Sequence, residues 1–161
     1  MAITKTNFYA HSLNQFAPNR VRGEYKDWGL NAQVVEVEID STQSTALYAG
    51  DPVSIVATST GKTKVVAGTA SNVVLGYIIF NPKHEKFVAG DICSVLVQGG
   101  KMVCVTEEAI NAGATVYYKV ADGSITTTST SNIKMGQMCA KTSAVSGGAL
   151  CEVEIFRPAL S

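Results

Sequence analysis

The residues of this chain that could do chemistry are few and scattered. Histidine occurs twice, at His11 and His84, and neither stands within a few residues of a cysteine, so the spacing of a zinc site is missing. The four cysteines, Cys93, Cys104, Cys139 and Cys151, fall singly inside apolar, strand-like runs, a placement that predicts reduced and mostly buried thiols rather than a disulfide framework. A cysteine nucleophile would need His84 brought to Cys93 or Cys104 by folding, and a serine nucleophile would need a Gly-x-Ser-x-Gly elbow that the chain lacks. Gly61-Lys62-Thr63 copies the end of a phosphate-binding loop, but the upstream glycine of such a loop is replaced by Val56, so the tripeptide reads as a hairpin turn. Glu36 with Glu38, and Glu152 with Glu154, put paired carboxylates on one strand face; that spacing could hold a cation or move a proton, yet an outward row of charge is its ordinary meaning. Lys101 after Gly99-Gly100 and before Met102 carries only half the pattern of a biotin- or lipoate-bearing hairpin. No catalytic residue, metal site or cofactor is expected, and the chain is not expected to be an enzyme.

The elements that hold these residues read as β-structure. Val35, Val37 and Ile39 alternate with Glu36 and Glu38, and Cys151, Val153 and Ile155 alternate with Glu152 and Glu154. These two Val-Glu strands are expected in one sheet system, either separated or matched by Lys or Arg because facing carboxylate rows repel. Between them a phrase recurs three times: Ala49-Gly50-Asp51 before Val53, Ala89-Gly90-Asp91 before Cys93, and Ala112-Gly113-Ala114 before Val116. The glycine suits a reversing turn, and each copy opens an alternating inward row. Gly61-Lys62, Gly99-Gly100 and Asp122-Gly123 then mark tight turns, so each copy is predicted to be a hairpin. Strands with central glycines at Gly76 and Gly136 follow the first and third copies, which predicts two related halves with the middle hairpin inserted between them. Thr126 to Thr130 suits an exposed strand, and Thr106 to Asn111 is the one candidate for a helical turn.

The 161 residues bound one domain plus an arm. Thirteen basic and thirteen acidic side chains give no net field toward nucleic acid or an anionic membrane, which leaves protein as the expected partner. No apolar run is long enough to cross a membrane, and the first residues lack the apolar stretch of a secretion signal, so the chain is expected to stay where it is made. Residues 1–32 show no sustained period and read as an extended arm, with 33–161 as the β domain. The arm carries Phe8, Tyr9, Phe16, Tyr25 and Trp28, more apolar surface than a purely solvated segment needs. Its Lys5, Arg20, Arg22 and Lys26 outnumber Glu24 and Asp27 only slightly, too little for tight phosphate binding. A protein-docking arm using Phe8, Tyr9, Phe16, Arg20, Arg22, Tyr25 and Trp28 is the expectation.

Together, the polar-aromatic start, Ala49-Gly50-Asp51-x-Val53, the apolar strand Leu75-Gly76-Tyr77-Ile78 leading to Asn81-Pro82, the second Ala-Gly-Asp and the Gly-Lys hairpin resemble the structural cement, or decoration, proteins of tailed bacteriophage heads. The resemblance spans about residues 45–156, and the third copy departs from it at Ala114. It implies an all-β small barrel or sandwich built from repeated hairpins. Such a protein would be made in the host cytoplasm and carried on the virion exterior, often as a homotrimer, tying neighbouring major capsid subunits together. The alternative is a ligand- or sugar-binding β-barrel that uses Tyr117, Tyr118 or Trp28 as a stacking platform.

Overall fold

The computed structural model describes residues 22–25, 32–56 and 61–156. β1 (Gln33–Ile39), β2 (Pro52–Ile55), β3 (Lys64–Ala67), β4 (Gly76–Ile78) and β5 (Ile92–Gln98) lie in the order β1-β3-β2-β4-β5. Antiparallel pairing of β1 with β5 closes them into a barrel. β6 (Lys101–Thr106), β7 (Thr115–Tyr118), β8 (Ile125–Thr126), β9 (Ile133–Met138) and β10 (Ala149–Ile155) form a second five-stranded sheet, ordered β6-β10-β9-β7-β8. The chain is all-β, as the alternation predicts.

The halves have one topology used twice. In each, a hairpin (β2–β3, β7–β8) pairs through its first strand with the third strand (β4, β9). That strand pairs with the last one (β5, β10), which in turn pairs with the first (β1, β6). They differ at the seam. β1 forms a parallel ladder with β3, whereas the corresponding edge of β6 takes residues 23–25 of the arm: Gly23 N donates to Val103 O at 2.8 Å, Val103 N to Glu24 O at 2.9 Å, and Tyr25 bridges Met102.

This arrangement corrects several expectations. Gly99-Gly100 reverses the chain but makes no hairpin, because β1 and β4 occupy both edges of β5, so β6 leaves for the other sheet. The middle copy is therefore the last strand of the first half and not an insertion. For the same reason the two Val-Glu strands lie in different sheets, although lysines do match them: Lys64 stands 3.5 Å from Glu38, and Lys101 lies opposite Glu154. Thr106 to Asn111 forms no helix; the Thr106 hydroxyl accepts the Glu108 N–H in a short bend. β8 stops at Thr126, and Thr127 Oγ1 and N turn instead to the Glu108 carboxylate.

Val37, Ile39, Val53, Val65, Ile78, Phe87 and Val95 fill the barrel. The second core gathers Met102, Val116, Tyr118, Met135 and Val153 with Tyr77 and Leu96 from outside the barrel wall. β4 and β5 are thus buried on both faces, Ile78 and Val95 inward and Tyr77 and Leu96 toward the second sheet, and these two strands join the halves. Gly76 and Gly136 are equivalent corners, since a Cβ would lie 2.3 Å from Leu96 O in one and 1.9 Å from Glu154 O in the other. Only glycine lets the neighbouring backbone approach that closely.

Candidate functional site

The Ala-Gly turns place the most distinctive polar geometry of the molecule. In the first, Asp51 N donates to Tyr48 O at 3.0 Å, and Asp51 Oδ2 accepts Tyr48 N at 2.9 Å. Gly50 takes φ +85°, a region that ordinary side chains disfavour, and its N–H donates to Ile78 O at 2.7 Å. The second turn repeats every contact: Asp91 N to Val88 O at 3.0 Å, Val88 N to Asp91 Oδ2 at 2.8 Å, and Gly90 at φ +89° donating to Ile39 O at 2.9 Å. Leu47 and Phe87 exchange backbone hydrogen bonds of 2.9 and 2.8 Å, so a local two-fold relates the two turns.

Around the first turn stands a buried ionic cluster. Arg22 Nη2 lies 2.8 Å from Asp51 Oδ1, with both side chains almost wholly excluded from solvent. The other donors of the guanidinium reach Ala49 O, Gly123 O at 3.3 Å and Tyr118 Oη at 3.3 Å, and Tyr118 Oη donates to Asp51 Oδ1 at 2.8 Å. One arginine therefore ties the arm to the barrel through Asp51 and to the second sheet through Gly123 and Tyr118. Burial, the largest single influence, lowers the Arg22 pKa, but the Asp51 charge and hydrogen bond together with Tyr118 and Cys104 outweigh it and hold the group above its usual value. Burial, then the Asp51 charge, pushes the Tyr118 hydroxyl well up, so the phenol stays a donor.

The remaining candidates carry no comparable arrangement. Cys93, Cys104 and Cys151 are buried free thiols, as predicted, and Cys139 is half-buried. Burial pushes Cys93 up to about 12 and raises Cys104 and Cys139 as well, so these sulfurs are protonated and poorly nucleophilic at neutral pH. Sequence reading missed that Cys104 and Cys151 face each other across β6 and β10, a pairing that depends on the register of two strands far apart in the chain. His84 is exposed and stacks on Phe87, with 5.6 Å between centroids. A hollow of about 750 Å³ at the end of β2 is lined by Ile55, Val66, Val73, Leu75 and Val97 and, among the described residues, by no aromatic ring. Tyr118, one of the three rings of the ligand-binding alternative, is committed to Asp51, and Trp28 lies outside the described residues.

Of the expected docking residues, Phe8, Tyr9, Phe16, Arg20 and Trp28 lie outside the described residues. Arg22 and Tyr25 are described and turn toward the body: Arg22 is 3% exposed, and Tyr25 packs against the second core. Their partners stand far along the chain, Asp51 for Arg22 and Met102 for Tyr25, and no local pattern announces such contacts.

Among curated proteins, none matches this chain. The family model of the structural cement protein (E217 gp24/Pam3 gp6) matches residues 15–156, which takes in the stem of the arm, both halves and all three Ala-Gly turns. The chain belongs to this family of phage structural cement proteins.

Proposed function

We propose that the chain binds the outside of a phage head as a homotrimer and ties neighbouring major capsid subunits together, with residues 1–21 reaching onto the shell or an adjoining copy. The observation that carries this reading is the stem of the arm. Arg22 is locked to both halves, and residues 23–25 are laddered onto β6, so tension on the preceding residues passes into the whole β body rather than peeling off a loose end. A cement protein needs that property, because many copies each making a modest contact stiffen a shell only if the contacts are mechanically coupled. In this reading Phe8, Tyr9, Phe16 and Arg20 make the docking contacts, Trp28 supports them, and Arg22 and Tyr25 position the arm.

Deleting residues 1–21 and measuring retention on purified heads by co-sedimentation tests the role of the arm. Lost retention with an unchanged melting temperature is expected; full retention would sink that role. Sedimentation velocity of the intact chain reads the oligomer, and a monomer across the micromolar range would remove the trimer.

A further inference from the structure

The three Ala-Gly turns share one backbone, yet among the described residues only two of them have a side chain lying over the glycine. Over Gly50 lies the Arg22 side chain, so close that a Cβ there would stand 3.2 Å from its Cγ and Cζ, and its donors take Ala49 O and Asp51 Oδ1. The third turn keeps the same frame, with Gly113 at φ +80°, Gly113 N donating to Met138 O and Met138 N to Ala114 O, both at 2.9 Å. Ala114 offers no carboxylate, and the group lying over this glycine is a neutral amide: Gln137 Nε2 stands 3.5 Å from the Cβ position and donates to Gly113 O at 3.1 Å. The donor matches the acceptors in each case, a cation where Asp is present and an amide where it is absent.

The second turn has the acceptors of the first and, among the described residues, no donor over its glycine. A Cβ on Gly90 would meet nothing within 4 Å. Asp91 Oδ2 holds Val88 N as Asp51 Oδ2 holds Tyr48 N, and no described cation pairs with the remaining carboxylate oxygen. Val88 and Ile92 flank the turn with 45% and 48% of their surface exposed, so apolar area borders the vacant acceptors.

We propose that the turn formed by residues 88–92 is a receptor for an arginine of the major capsid protein. The guanidinium takes the place over Gly90 that Arg22 takes over Gly50, donates to Ala89 O and the free Asp91 oxygen, and brings its aliphatic stem across Val88 and Ile92. Two acceptors on one turn suit the planar fork of arginine better than the point charge of lysine. The outward position favours a different subunit, because the local two-fold sets this turn opposite the one that Arg22 already fills. The inference rests on the capsid-binding reading above and adds to it a second contact, made by the β body.

The test is co-sedimentation of the full-length chain with heads lacking it, comparing wild type with Asp91→Asn. Asparagine keeps an acceptor for Val88 N and removes only the charge. Ile92→Lys serves as a second variant, placing a competing ammonium on an exposed strand position. Head affinity at least tenfold weaker in both, with unchanged melting temperature and a shallower salt dependence for Asp91→Asn, is the expected result. Equal affinity for wild type and variants overturns the receptor while leaving the capsid reading intact. A wild-type chain that does not bind heads overturns both. Variants that lose self-association yet bind heads normally overturn the capsid protein as the occupant and assign the turn to a second copy.

Discussion

Arg22 bears on stability because its removal takes the guanidinium away from the buried Asp51 carboxylate and from the Tyr118 hydroxyl. Arg22→Ala should cost about 3–5 kcal/mol, the range for breaking a buried ion pair, and lower the melting temperature by about 6–20 °C for a domain of this size. The double replacement Arg22→Met with Asp51→Leu should cost less than the sum of the single changes, since it removes both buried charges together. Thermal denaturation of the four proteins reads this directly, and additive losses would mean that the two groups act independently. A second expectation follows from Cys93. Its folded pKa lies at about 12 against an ordinary 9.0, so the unfolded chain releases the thiol proton first, and the thiol's contribution to stability falls as pH rises above 9. Urea midpoints at pH 8 and pH 10.5 should therefore drop further for wild type than for Cys93→Ala. At this scale the sequence was least informative. Arg22 and Tyr25 read as part of a protein-docking arm because both sit in a polar, aperiodic segment, and nothing local reveals an acceptor at Asp51 or a strand edge at Val103.

The strands were far more legible, because alternation and turn glycines are local signals. Val53, Cys93 and Val116 open inward rows and the glycine corners stand where the pattern sets them, whereas Ile55 and Val120, at the far ends of two rows, are exposed. What failed was pairing: a turn such as Gly99-Gly100 specifies reversal, whereas the partner of a strand depends on which edges are already taken. The duplication, once the middle copy is assigned to β5, predicts that equivalent corners respond alike. Gly76→Ala and Gly136→Ala each force a methyl to within 2.3 Å or less of a neighbouring carbonyl oxygen, so both should unfold the chain or cost several kcal/mol through lost pairing. Gly90→Asn, at a positive φ with open space around it, should cost only about 1 kcal/mol. Chemical denaturation of the three variants checks the contrast, and a mild Gly136→Ala would mean that β9 and β10 separate more readily than their register implies.

For the molecule as a whole, the stem of the arm divides residues 1–25 into two parts with different consequences. Removing residues 1–21 keeps Arg22 with its contacts to Asp51 and Tyr118 and keeps the ladder of Gly23 and Glu24 to Val103, so the body should melt close to wild type. Removing residues 1–25 strips the guanidinium from Asp51 and Tyr118 and uncovers the Val103 edge, so it should lose the Arg22 contribution together with the ladder to Gly23 and Glu24. A chain of this size is held by about 5–15 kcal/mol in total, so that combined loss would leave the longer deletion marginal near 37 °C. The exposed edge of β6 would also invite pairing with another copy, which predicts aggregation for the longer deletion alone. Parallel melting curves and light scattering separate the cases. If both deletions melt together and stay monodisperse, residues 22–25 are carried by the body without supporting it, and an arm attached in that way could not transmit load from one subunit to the next.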